Sequence, residues 1–122
     1  MIERNGTDVP ILSESTVHNG VAYLSGWVSW DNQGGSITAQ SEEIFAKIDQ
    51  MLAEAGSDKE HLLFANIWLT SVDYIQEFNN AWLKWLENSP KPARACVEAK
   101  LLRPGWDVEV AVTAAVKEEK GK

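Results

Sequence analysis

Asp107-Val108-Glu109-Val110-Ala111-Val112-Thr113-Ala114-Ala115-Val116 alternates strictly along its length. Successive side chains of a β-strand point to opposite faces, so Val108, Val110, Val112, Ala114 and Val116 form one face and Glu109, Ala111, Thr113 and Ala115 the other. The first set reads as the inner face of a sheet. The second is too apolar for a face left in water, which would normally carry more polar residues than Ala, Thr and Ala. Both faces are therefore expected to be covered, and the chain has no third layer to supply. A second copy of the chain is the remaining cover, so this strand predicts a homo-oligomer.

Reading outward, Arg103-Pro104-Gly105 is a turn and Arg94 to Leu101 a further strand. Before them, Ile75, Phe78, Trp82, Trp85 and Leu86 recur at helical spacing until Pro90 and Pro92 end the pattern. Asp73 is read as the N-cap of this helix, with Gln76 as its capping-box partner. Leu62 to Thr70, short and apolar, reads as a buried strand. Ile44, Phe45, Ile48, Met51, Leu52 and Ala55 mark a helix from Ala39 to Ala55, and Gly56 stands where a left-handed cap belongs. Asn19-Gly20 between two β-prone runs is a hairpin signal. The order is strand, strand, helix, strand, helix, strand, strand, which predicts an α+β domain with two helices across one face of a mixed sheet. Lys117 to Lys122 is expected to be a frayed, charged tail.

The length of 122 residues fits one domain, 1–122. No apolar run approaches the roughly 18 residues that span a bilayer, and residues 1–10 show no secretory pattern. A single Cys96 has no internal disulfide partner, so a cytoplasmic location is expected. Eleven basic against eighteen acidic residues give a net charge of −7, with no footprint for nucleic acid. Six tryptophans are many for this length, and they imply an aromatic core, a pocket or an interface.

Chemistry is sparse. Nucleotide-binding glycine patterns are absent, Gly34-Gly35-Ser36 is only a flexible loop, and Ser25-Gly26 lacks the flanking glycines of a nucleophile elbow. His18 and His61 have no third ligand at metal spacing. What remains is Arg94 with Cys96 two residues on, sharing a strand face, and Glu109 among valines and alanines. An arginine fork at the edge of a core is a carboxylate anchor, and a partly desolvated glutamate orients or deprotonates water. Set beside that, an Arg and a Glu on neighbouring strands more often form a structural ion pair, and Cys96 is more often a small buried hydrophobe than a nucleophile. The tryptophans of the second helix more often belong to a core than to a ligand platform. The residues alone leave these readings open.

Ser25-Gly26, Ala53-Glu54-Ala55-Gly56, Phe78-Asn79-Asn80-Ala81-Trp82 and above all Pro92-Ala93-Arg94-Ala95-Cys96-Val97-Glu98 with Val108-Glu109-Val110 resemble the Rid (YjgF, RidA) family of reactive-intermediate deaminases. The resemblance runs from Ser13 to Val116. It implies a chorismate-mutase-like fold, a homotrimer with sites between subunits, and hydrolysis of enamines and imines such as 2-aminoacrylate and 2-iminopropanoate to a 2-keto acid and ammonia. It further implies that Arg94 pairs with the substrate carboxylate, that Glu109 positions the attacking water, and that the strand around Cys96 holds the imine nitrogen or the water. Ser25, Gly26 and Asn79 match cleft positions, and no cofactor or metal is needed. The sequence departs from the family pattern at Leu12-Ser13-Glu14, where a tyrosine is common, at Ala95, where serine is common, and at Trp27-Val28-Ser29-Trp30. Trp27 and Trp30 are accordingly candidate pocket walls. The alternatives are a trimer that binds keto or amino acids without turnover and an endoribonuclease, the latter opposed by the acidic charge.

Overall fold

In the computed structural model, which describes residues 1–117, Asn19 and Gly20 take positive φ values of 52° and 79° and turn strand β2 (Ser15–His18) into β3 (Val21–Leu24). Two left-handed residues in succession match the twist of an antiparallel pair. A short strand, β1 (Glu3–Asn5), adds to β2, and β4 (Trp27–Val28) follows β3. Helix α1 (Ile37–Glu54) begins where the Ser36 hydroxyl accepts from Ala39 N at 3.0 Å. It ends where Gly56 takes φ 82° and Ser57 N donates back to Leu52 O at 2.8 Å.

Strand β5 (Leu62–Leu69) leads to helix α2 (Ile75–Trp85), and β6 (Ala93–Glu98) and β7 (Val108–Ala115) complete the described elements. The sheet order is β1-β2-β3-β7-β5-β6, with β4 also paired to β7. β5 and β6 are parallel, as a crossover through α2 requires. Val108, Val110, Val112 and Ala114 are buried under both helices, together with Ala65, Ile67 and Leu69 of β5. Between the helices Phe45 stacks on Trp85 at 4.4 Å between ring centroids, and Trp82 is only 4% exposed. The aromatic stripe of α2 is therefore core.

Three expectations are corrected. Asp73 does not cap α2: Ser71 caps a 3-10 turn at Val72–Tyr74 by accepting from Asp73 N, and Gln76 donates to Asn80 instead of reaching back. The strands that carry Arg94 and Glu109 are not neighbours, because β5 lies between β6 and β7. Lys117 is tied down, its N–H donating to Gly56 O at 3.0 Å and its ammonium 3.6 Å from Asp58; the rest of the expected tail, 118–122, lies outside the described residues.

The far side of the sheet has no layer over it among the described residues. Register places Tyr23, Thr113, Phe64 and Ala93 in one row and Val28, Glu109, Trp68 and Val97 in another, with Ala111, Asn66 and Ala95 between. Tyr23 and Val97 are each 52% exposed, so this face is apolar and open in the single chain.

Candidate functional site

β6 is an edge strand, and alternation from its pairing with β5 turns Arg94 and Cys96 toward the helix side, level with Ala65 and Ile67. There Arg94 Nη2 donates to Asn79 Oδ1 of α2 at 2.7 Å, and the guanidinium carbon lies 5.2 Å from the Trp82 ring centre and 6.0 Å from that of Phe78. Aromatic faces and one neutral amide hold the plane of the fork. Nη1 is buried without a hydrogen-bond partner, and no carboxylate of the described residues lies within ion-pair distance of Arg94. The structural ion pair with Glu109 does not form. A cation that is clamped, partly desolvated and unneutralised keeps donor capacity for an anion, which an arginine spent on a core salt bridge does not. Burial pushes the Cys96 thiol up, with the Arg94 charge opposing, so Cys96 stays protonated and is a poor nucleophile.

Glu109 sits on the other face of the sheet, between Val28 and Trp68 in register. Its carboxyl lies against Gly26, where a Cβ would meet Oε2 and force the Glu109 side chain to shift, so the glycine leaves room for the carboxyl in this position. Burial raises the Glu109 carboxyl above the usual carboxylate range. A shift in this direction makes the carboxylate a stronger proton acceptor toward water. Ser25, its neighbour in sequence, spends its hydroxyl on Ser13 O at 2.7 Å and fixes the chain where it enters the Gly26 segment.

The structure thus sorts the candidates into two groups: Arg94, Asn79 and Cys96 at the β6 edge, and Ser25, Gly26 and Glu109 at the open face. By register the two charges are separated by about 10 Å across the strands and about 10 Å along them, on opposite sides of the sheet. Trp27 pairs with Val110 and so faces the helices, with the Lys47 ammonium 4.7 Å from its ring centre; it does not flank Glu109. Trp30 packs edge-on against Trp106 at 4.8 Å, with Arg103 over both rings. Two features escaped the sequence. One is the role of Trp82 and Phe78 as the bed for Arg94. The other is Glu43, whose carboxyl accepts from Ser29, from both Asn32 donors and from Asp31 N, and so pins the loop after β4 to α1. Burial tends to raise the Glu43 carboxyl, but these four donors together hold it below the usual range.

Two helices on one face of this mixed sheet, with an unneutralised arginine on its edge strand and a half-buried glutamate two strands away, define a two-layer α+β domain of the YjgF type. The chain belongs to the endoribonuclease L-PSP family, known also as YjgF or Rid, whose family model matches residues 10–116. A RutC family protein of Haemophilus influenzae is 38% identical over 103 residues, covering 84% of this chain and 89% of its own. One from Haemophilus ducreyi is 36% identical over 104 residues, covering 85% and 88%. The crystal structure of a YjgF family member from Neisseria meningitidis superposes with a TM-score of 0.91 at 40% identity over 98% of each chain.

Proposed function

We propose that this protein hydrolyses the reactive imines and enamines of 2-amino acids to 2-keto acids and ammonia, in a homotrimer whose sites lie between subunits. The observation that carries the reading is the pair of charges, each without an ionic partner, held on opposite faces of one sheet. One small molecule meets both only if the β6 edge of one copy lies against the open face of the next. Arg94 then binds the carboxylate through its fork, and Glu109 of the neighbouring copy takes a proton from water as the oxygen adds to the imine carbon. That proton goes to the nitrogen, and as the carbinolamine collapses its hydroxyl proton passes through the same carboxylate to the departing amine, leaving the keto acid and ammonia. An enamine enters the same route after its β-carbon takes a proton. Orientation supplies much of the rate, since the imine carbon is already electrophilic. The family description names an endoribonuclease, but a net charge of −7 favours a small carboxylate over a polyphosphate chain.

The test is ammonia and keto-acid release from imines generated in situ by an amino-acid oxidase, measured above the spontaneous rate. Retention of keto acid without faster release would identify a binding module instead. Light scattering at micromolar concentration is expected to give three times the chain mass of 13.6 kDa. The mass of one chain would leave the open face uncovered and remove the shared site.

Glu109→Gln gives a second check, because its effects on activity and stability have opposite signs. A carboxyl whose pKa is raised in the fold contributes full stability below its unfolded value, about 4.3, and loses part of it as pH rises through the raised value. Removing that charge is therefore expected to leave the thermal midpoint at pH 7 equal or higher while hydrolysis falls toward the spontaneous rate. In the wild type, kcat/KM is expected to fall on acidification at a pH above the ordinary carboxylate range. A destabilised variant with normal turnover would contradict both the role and the burial argument.

A further inference from the structure

Beside Cys96, on the helix side of β6, lies a cavity of about 180 Å³ lined chiefly by Leu69, Val72, Ile75 and Cys96, with Ser71 and Glu98 at its lip. Its place relative to Arg94 follows from two periodicities. Cys96 is two residues beyond Arg94 on the same strand face, and Ile75 is one helical turn before Asn79 on α2. The cleft between β6 and α2 therefore has two rungs, a polar one made by Arg94 and Asn79 and an apolar one made by Cys96 and Ile75. Glu98 closes the end of the apolar rung, its carboxyl accepting from Val72 N at 3.1 Å.

We infer that the apolar rung is the side-chain pocket, and that the preferred substrates are imines of amino acids with short aliphatic side chains, of the size found in valine and leucine. This rests on the reading of Arg94 as the carboxylate anchor. With the carboxylate on Arg94, the substituent on the adjacent carbon is within one rung of Cys96. A methyl group, as in 2-iminopropanoate, leaves most of the pocket unused, whereas each further buried methylene is worth about fourfold in kcat/KM. An acidic substituent would be brought against the Glu98 carboxylate and is selected against.

Val72 is 65% exposed on its 3-10 turn, so enlarging it narrows the mouth without disturbing the core. The experiment compares kcat/KM for 2-iminopropanoate, 2-imino-4-methylpentanoate and 2-iminoglutarate in the wild type, Val72→Phe and Glu98→Gln. The wild type is expected to favour the branched aliphatic imine over 2-iminopropanoate by about tenfold or more. Val72→Phe should abolish that preference, and Glu98→Gln should raise the relative rate for 2-iminoglutarate by about tenfold. Imines hydrolysed by the wild type with no aliphatic preference, or with one that Val72→Phe leaves intact, would overturn the pocket assignment alone. Failure to hydrolyse any of the three would instead overturn the deaminase reading on which it stands.

Discussion

Arg94→Ala is expected to lower kcat/KM for imine hydrolysis by about a hundredfold or more, while the protein stays folded and keeps its assembly state. The size follows from the two charge-assisted bonds that the fork offers a carboxylate, each worth about 1.5 to 3 kcal/mol. The survival of the fold follows from what Arg94 does in the chain: one bond to Asn79, contact with the faces of Trp82 and Phe78, a buried Nη1 without a partner, and no ion pair among the described residues. Truncation strands no buried carboxylate, which is the usual reason that losing a buried arginine unfolds a protein. Arg94→Lys separates charge from geometry. Its compact ammonium keeps the positive charge but cannot present two parallel donors, so an intermediate loss of about tenfold, mostly in KM, is expected. The checks are the imine assay beside circular dichroism and light scattering on the same preparations. Equal rates for wild type and Arg94→Ala would end the assignment.

Much of the fold was legible because its elements carry their own period. The alternation from Val108 to Val116, the stripe from Ile44 to Ala55 and the Asn19-Gly20 turn each specify local structure through contacts made within a few residues. The apolar second face of β7 was legible for the same reason, and it appears as the open rows around Thr113 and Ala111. The start of α2 was not legible, since Ser71 and Asp73 are both good caps and the choice between them depends on how the 3-10 turn packs. β1 has only three residues and no apolar alternation, so nothing in Glu3–Asn5 announces a strand.

The candidate site was legible in its parts and illegible in its arrangement. Period two places Arg94 with Cys96, and it places Glu109 opposite the valines of its own strand. It cannot relate the faces of two strands to each other. That relation depends on sheet order and register, and here both intervene. β5 inserts between β6 and β7, and pairing with Ala65 sends Arg94 to the helix side while pairing with Trp68 leaves Glu109 on the open side. The reading of a structural ion pair failed on this geometry. The same geometry makes an oligomer a requirement of the proposed chemistry as well as of the apolar face.

Mixing two inactive variants is expected to restore activity, an outcome that no single-chain site can produce. Arg94→Ala keeps Glu109, and Glu109→Gln keeps Arg94, so in the proposed trimer neither variant alone has a complete site. In a ring of three, every interface joins the β6 edge of one copy to the open face of the next. Any trimer containing both kinds of subunit then has one interface with Arg94 on the edge side and Glu109 on the face side. Random assembly from equal amounts puts both kinds in about three of every four trimers, each with one competent site in three, so about a quarter of wild-type activity is expected. The variants are co-expressed, or mixed in denaturant and refolded together, and compared with the same variants mixed after folding, where slow exchange should keep activity near background. If Arg94 and Glu109 of one chain served a common site, or if only one of them were needed, the co-assembled sample would be no more active than the sum of its components. The sheet keeps the two charges of one chain on opposite faces, and recovery on co-assembly is the direct chemical reading of that separation.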